Sequence, residues 1–222
     1  MIVGNRKDFG EILEKLGPAR RVLVLGCNEC VTVCGVGGER EVGVLAAELR
    51  LCWKKEGETF EVREHTLERQ CDYEYIDQIR GFVNDYDVIL SMACGAGVQY
   101  VAETYKTKLV LPAVNTTFLG VTIEQGVWSE RCQGCGACIL DMTGGVCPIA
   151  RCAKSLLNGP CGGSSEGKCE IDKEIDCAWQ LIVDRLKESG QMDRYEEILP
   201  VKDWRTGRDG GPRRRLREDM RL

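Results

Sequence analysis

Fourteen cysteines in a chain of 222 residues, gathered in short runs rather than scattered, constrain this sequence more than any other feature. An even number of cysteines suits a disulfide framework when a chain is small and exported. Here the N-terminus, MIVGNRKDFGEILEKL, has neither the basic start nor the apolar stretch of a secretory signal. No apolar run approaches the ~20 residues a membrane helix requires. The chain is also long enough to bury a core without covalent staples. The expectation is a cytoplasmic protein whose thiols stay reduced and ligate metal. The one histidine, His65, lies in a segment that reads as a strand, which excludes histidine-rich zinc centres and a histidine-based triad. The chemistry available is thiolate chemistry.

Hydrophobic periodicity divides the chain. Asp8 with Glu11 three residues on forms a capping-box-like start, Phe9, Ile12, Leu13 and Leu16 follow at helical spacing, and Gly17-Pro18 ends the helix. Arg21 to Leu25 reads as a buried strand. Gly37-Gly38 opens a long helix with Val42, Leu45, Leu49 and Trp53 on one face. Thr59 to Thr66 alternates as a second strand, Ile76, Ile79 and Val83 mark a helix, and Asp87 to Met92 is a third strand. Val98, Val101 and Tyr105 mark another helix before a fourth strand, Lys108 to Val114. Strands alternating with helices predict right-handed crossovers and a doubly wound, mostly parallel four-stranded α/β sheet of order 2-1-3-4. After about Gly126 the periodicity fades. Seven cysteines and many glycines fill residues 132 to 169, where metal replaces a hydrophobic core, and a last helix runs from about Glu174 to Lys187. The expected organisation is an α/β domain (1–125), a small irregular cysteine-rich metal-binding domain (126–204) and a basic tail (205–222) without structure of its own. The net charge of −5 argues against a nucleic-acid-coating surface.

Two cysteine constellations carry the chemistry. Cys132, Cys135 and Cys138 form a C-x2-C-x2-C run followed by Cys147-Pro148. Thiols every three residues wrap a loop around one cubane, and the fourth ligand comes from further along, often beside proline. Structural zinc sites favour paired knuckles instead. Cys27, Cys30 and Cys34 follow the first strand and Cys94 follows the third, so both fall at strand carboxyl ends, where ligands of doubly wound sheets bind. Cys71, after the second strand, competes as the fourth ligand of that site. Cys52, beside Trp53, and Cys177, on the last helix, read as core residues. Cys152, Cys161 and Cys169 remain: with Cys147 they could hold zinc, or one of them could complete the first cluster.

These stretches carry a resemblance. GCNECVTVCGVGG (26–38), LERQC (67–71), SMACGAGVQ (91–99), PAVNTTFLG (112–120) and RCQGCGACILDMTGGVCPIARCAKSLLNGPCGG (131–163) make the chain similar to the small iron–sulfur subunit of methylenetetrahydrofolate reductase found in acetogens and related bacteria. The resemblance implies one or two [4Fe–4S] clusters, with Zn2+ as the alternative occupant of a site. It points to Cys27, Cys30, Cys34 and Cys94 for one site and to Cys132, Cys135, Cys138 and Cys147 for the other. It also implies a flavin-containing reductase partner that binds the folate, further electron-transfer subunits as a second class of partner, and no flavin on this chain. On that reading the chain is a non-catalytic subunit relaying electrons to or from the partner's flavin. The competing readings are a metal-stapled scaffold with no redox role and a stand-alone redox or metal sensor.

Overall fold

The structure, a computed structural model, describes residues 1–57 and 59–221. Strand β1 (Ile2–Arg6) is followed by helix α1 (Phe9–Leu16). The Asp8 carboxylate caps α1 by accepting from the N–H groups of Gly10 and Glu11, and Gly17 ends it at φ +51°. Next come β2 (Arg21–Cys27), the short α2 (Cys30–Val33) and the long α3 (Glu39–Glu56). Strand β3 (Glu61–Leu67) leads to α4 (Tyr73–Ile76) and β4 (Val88–Ser91), then to α5 (Gly95–Thr104) and β5 (Leu109–Pro112). The strands pair in parallel in the order β3-β2-β4-β5. This is the expected 2-1-3-4 order, with the switch point between β2 and β4.

The pleat sorts the core into two layers. Val22, Val24, Val88 and Leu90 pack with Ile12, Leu16, Val42, Leu45, Leu49 and Trp53 on one face. Leu23, Leu25 and Ile89 pack with Ile76, Ile79, Val83 and Val101 on the other. Successive side chains of a strand leave on opposite faces, so a run such as Val22–Leu25 serves both layers at once. Each such side chain contributes roughly 1.5–3 kcal/mol on full burial. His65 on β3 packs edge-on to Phe82, and burial lowers its pKa.

Three departures from the sequence reading have clear causes. The segment marked by Ile76, Ile79 and Val83 is not one helix: α4 passes into a 3-10 turn, Asp77–Ile79, and a second turn, Val83–Asp85, follows Gly81. The three residues are all buried, so the apolar spacing reports burial rather than helix continuity. A second, antiparallel sheet of order β1-β6-β7 was not foreseen, with β6 (Val114–Glu124) and β7 (Val127–Cys132) joined at Gly126 in the left-handed region. Much of β6 is exposed, so its sequence lacks the apolar alternation that marks a half-buried strand. The last long helix, α7 (Ala178–Glu188), starts after Glu174, because residues 172–177 are used in a turn at Asp172 and a bridge from Lys168 to Asp176.

The chain clusters into two compact units, residues 1–118 with 122–128, and residues 119–121 with 129–222. In the second unit, α6 (Pro148–Arg151), α7 and α8 (Asp193–Glu196) are the α-helices among the described residues. Its core is Val146, Trp179, Ile182 and Leu186, with Cys152, Leu156, Cys177, Leu181 and Met192 packed against it. The basic tail is not featureless. It carries 3-10 turns at Trp204–Thr206, Arg208–Gly210 and Glu218–Met220. No helix among the described residues is long and apolar enough to cross a membrane.

Candidate thiolate sites

One set of thiols stands at the carboxyl ends of β2, β3 and β4. Cys27 is the last residue of β2, Cys71 follows β3 after a short loop, and Cys94 caps the N-terminus of α5 just after β4. Burial pushes the Cys27 thiol above its ordinary pKa, and the neighbouring thiols of Cys94 and Cys30 push in the same direction. Cys71 is raised by burial and then by Cys27 and Cys94. Cys27, Val31 and Ala93 form a small buried cluster there, with Cys94 and Val36 against it.

Cys34 stands differently. It is buried, and its thiol donates to the Val31 carbonyl at 3.6 Å. Burial raises it, the backbone N–H groups of Gly4 and Cys34 itself oppose that shift, and Cys30 is the thiol that affects it. It therefore lies toward β1, while Cys71, which the sequence left as the competitor of Cys94 for the fourth position, is coupled in charge to both Cys27 and Cys94. Cys52 is half-buried on α3.

Gln70, which the sequence reading passed over, organises this end of the sheet. It is completely buried. Its Nε2 donates to the carbonyls of Leu25 at 2.8 Å and Gly26 at 2.9 Å, and its Oε1 accepts from Ser91 Oγ at 2.6 Å. One amide thus ties the end of β2 to the end of β4 and fixes the loop carrying Cys71. The signal available was its position: a polar residue directly before a cysteine, between a strand and a helix. Arg69 adds an ion pair to Glu29 at 3.2 Å. Two glycines make the close approach possible. A Cβ on Gly37 would collide with the Met92 carbonyl, and one on Gly97 would press on Ala93 and Gln70.

In the second unit, the Cys132–Cys138 loop turns through Gly134 at φ +62° and Gly136 at φ +88°. Cys132 and Cys138 are exposed, and Cys135 is half-buried. The Gly134 N–H points at Cys132 Sγ, 3.3 Å away. The C-terminal segment lies along this loop. Lys202 Nζ donates to the Ala137 carbonyl at 2.5 Å, and Thr206 Oγ1 donates to the Cys135 carbonyl at 3.0 Å. Arg213 donates to the Gly134 carbonyl at 2.8 Å. Gly136 is needed for a reason the sequence did not suggest: a Cβ there would strike the Thr206 backbone. Cys147, half-buried, precedes Pro148 at the start of α6.

Cys152, Cys161, Cys169 and Cys177 line a single cavity of about 20 Å³. The Gly163 N–H, with help from the charge of Lys154, holds the Cys161 thiol below its ordinary pKa. Cys177 was read as a core residue from its helical spacing, and it does pack against the Trp179 cluster while lining this cavity. The missed signal was regular spacing, since seven residues separate Cys161 from Cys169 and Cys169 from Cys177. Among the described residues, no three His, Cys, Asp or Glu side chains are already arranged around a common ion position.

No curated protein and no solved structure matches the chain. Residues 111–205, which contain every cysteine from Cys132 to Cys177, match the family described as methylene-tetrahydrofolate reductase C terminal.

Proposed function

We propose that this chain is an iron–sulfur electron-transfer subunit associated with a methylenetetrahydrofolate reductase, relaying electrons to or from the flavin of a partner catalytic subunit. The observation that carries the reading is the position of Cys27, Cys30, Cys71 and Cys94 at the carboxyl ends of adjacent parallel strands, in a chain whose residues 111–205 are similar to a reductase segment. The donor set fits the group, since thiolates are the ligands of cubane clusters. Cys27, Cys30, Cys71 and Cys94 would hold one cluster and Cys132, Cys135, Cys138 and Cys147 another. When bound, such a cluster supplies one-electron transfer at a potential tuned by burial and by hydrogen bonds to its sulfurs.

The chain's own residues perform the rest. Gln70 and Ser91 tie the ends of β2 and β4 together beside the loop that carries Cys71. The Gly134 N–H at Cys132 Sγ is the kind of donor that stabilises the added negative charge of a reduced cluster. The N-terminus of α5 at Cys94 favours negative charge in the same way. The chemistry of carbon reduction, with its flavin and folate, belongs to the partner.

Anaerobically prepared protein should contain iron and acid-labile sulfide and give an electron-spin-resonance signal on reduction. Zinc alone, without labile sulfide, would sink the proposal and leave the metal-stapled scaffold, the reading favoured by the small apolar core of the second unit. Within the first site, Cys71→Ser should lose one cluster, whereas Cys34→Ser should keep it. The opposite result would return the ligand role to Cys34.

A further inference from the structure

Positive charge is concentrated in the C-terminal segment. Residues 202–222 hold eight Lys and Arg against four Asp and Glu, in a chain whose net charge is −5. Arg205, Arg208, Arg213, Arg214 and Arg215 line a single open cavity of about 750 Å³, with Gly136 and Ala137 also in its wall and no Asp or Glu among its lining residues. We infer that this cavity binds an oligophosphate, carried by a nucleotide or free as an inorganic anion. The inference stands apart from the redox reading, because it uses no thiol and no metal.

The arginines sit on a segment with a defined place in the second unit. The Ala137 N–H donates to Thr206 Oγ1 at 3.2 Å, and the same oxygen lies 3.0 Å from the Cys135 carbonyl. Arg213 donates to the carbonyls of Gly134 at 2.8 Å and Thr206 at 2.9 Å. Gly207 is buried where a Cβ would crowd the Cys135 backbone. Gly211, at φ +91°, turns the chain after the Arg208–Gly210 turn, so that Arg208 and Arg213 to Arg215 line the same cavity.

Five guanidinium groups in one cavity repel one another unless negative charge is brought to them. The chain supplies little of it. Arg205 is paired to Asp203 at 2.9 Å, whereas the side chains of Arg208, Arg214 and Arg215 make no ion pair or hydrogen bond among the described residues. Guanidinium forks recognise phosphate oxygens in pairs, and linked phosphates present several such pairs in a row. A single carboxylate would answer only one of the three free groups. Ligand cavities of small molecules measure roughly 300–1,000 Å³, so there is room for two or three linked phosphates.

The rest of the chain selects a compact anion. Of the 30 basic and 35 acidic residues, 22 and 31 lie before residue 202. That surplus of negative charge opposes a long polyanion such as RNA, or an acidic protein face, lying across the molecule. An oligophosphate meets the arginines and little else.

The test is calorimetric titration of the full chain, purified without oxygen, at physiological ionic strength. The titrants are inorganic tripolyphosphate, ATP, adenosine and an aspartate hexapeptide. Tripolyphosphate and ATP should each bind once per chain, and adenosine should not bind. Tighter binding of ATP than of tripolyphosphate names a nucleotide as the source of the phosphates, and equal or weaker binding names the inorganic anion. Arg208→Gln, and Arg214→Gln combined with Arg215→Gln, should weaken tripolyphosphate binding at least tenfold. Arg217→Gln, on the same segment but outside the cavity and paired to Asp219, should change it less than twofold. All four side chains are exposed, so the variants should keep the parent's unfolding midpoint. Absence of binding by both phosphates overturns the site. Equal weakening by Arg217→Gln also overturns it, since that is diffuse attraction to a basic segment. So does an aspartate peptide bound as tightly as tripolyphosphate, which would make the cavity a dock for acidic protein.

Discussion

In the parallel-sheet unit, Leu23, Leu25, Leu45, Leu49, Leu67 and Ile89 are wholly buried, in two layers that enclose every strand of the sheet. In the unit of residues 129–222, the buried apolar set among the described residues is Val146, Ile149, Ala178, Trp179, Ile182 and Leu186. The first unit can be held by the hydrophobic effect alone, because its apolar surface closes around β2 and β4. The second combines a four-residue core cluster with loops turned by glycines in left-handed conformation, including Gly134, Gly136, Gly144, Gly145, Gly159, Gly162 and Gly167. Left-handed glycines let a chain turn sharply but cost more conformational entropy on ordering than other residues. The difference teaches that the cysteines stand on different backgrounds: in the first unit on a sheet closed by two apolar layers, in the second among glycine-turned loops beside a small core cluster.

The comparison can be broken most directly by stripping metal. Chelation under reducing, anaerobic conditions should lower hydrogen-exchange protection of residues 132–147 at least tenfold, while the amides of β2 and β4 keep theirs. Equal loss in both units would show that the sheet also depends on metal.

Core truncation comes next. Leu25→Ala should cost about 2–5 kcal/mol in denaturant unfolding of the sheet unit, with metal content per folded chain unchanged. Trp179→Ala, which also loses the hydrogen bond from Nε1 to the Leu156 carbonyl, should cost about 3–5 kcal/mol and release metal from the second unit. Metal loss in Leu25→Ala but not in Trp179→Ala would reverse the contrast.

Gln70→Ala tests where the two regimes meet, since it removes the amide linking the strand ends without touching a thiol. Leaving buried partners unsatisfied should cost about 1–3 kcal/mol. It should also lower iron bound at the Cys27 set while sparing the Cys132 set. Measured stability loss with both iron contents intact would reduce Gln70 to a purely structural role.

The smallest expected effect is electrostatic and confined to the first unit. The backbone N–H groups of Arg20 and Arg21, followed by the Arg21 guanidinium, hold the Asp87 carboxyl down at about 2, below its ordinary 3.8. A carboxylate with a depressed native pKa stabilises the fold fully above its unfolded value, and that contribution disappears as pH falls through about 2. Asp87→Asn should therefore cost up to about 1 kcal/mol at neutral pH, since the pair is partly solvent-exposed. The gap between variant and parent should close between about pH 4 and 2. A gap independent of pH would assign the effect to packing.

Some of this was determined by the sequence alone. Val22 to Leu25 and the helical spacing of Val42, Leu45, Leu49 and Trp53 report burial by their own periodicity, so the parallel sheet and its strand order could be read directly. The Asp8 cap is local chemistry and was equally legible. So was the placement of Cys27 and Cys94 at strand carboxyl ends, which follows from topology. Tertiary structure decided what depends on partners distant in the chain. The loop carrying Cys71 is fixed because the buried Gln70 amide reaches β2 and β4, more than twenty residues away in either case. Gly136 is required because Thr206 packs on it, and Cys177 lines a cavity as well as the core its helical spacing marks. Periodicity records which side of an element is buried, but not what lies opposite; that is set by long-range packing, which leaves no repeat in the sequence.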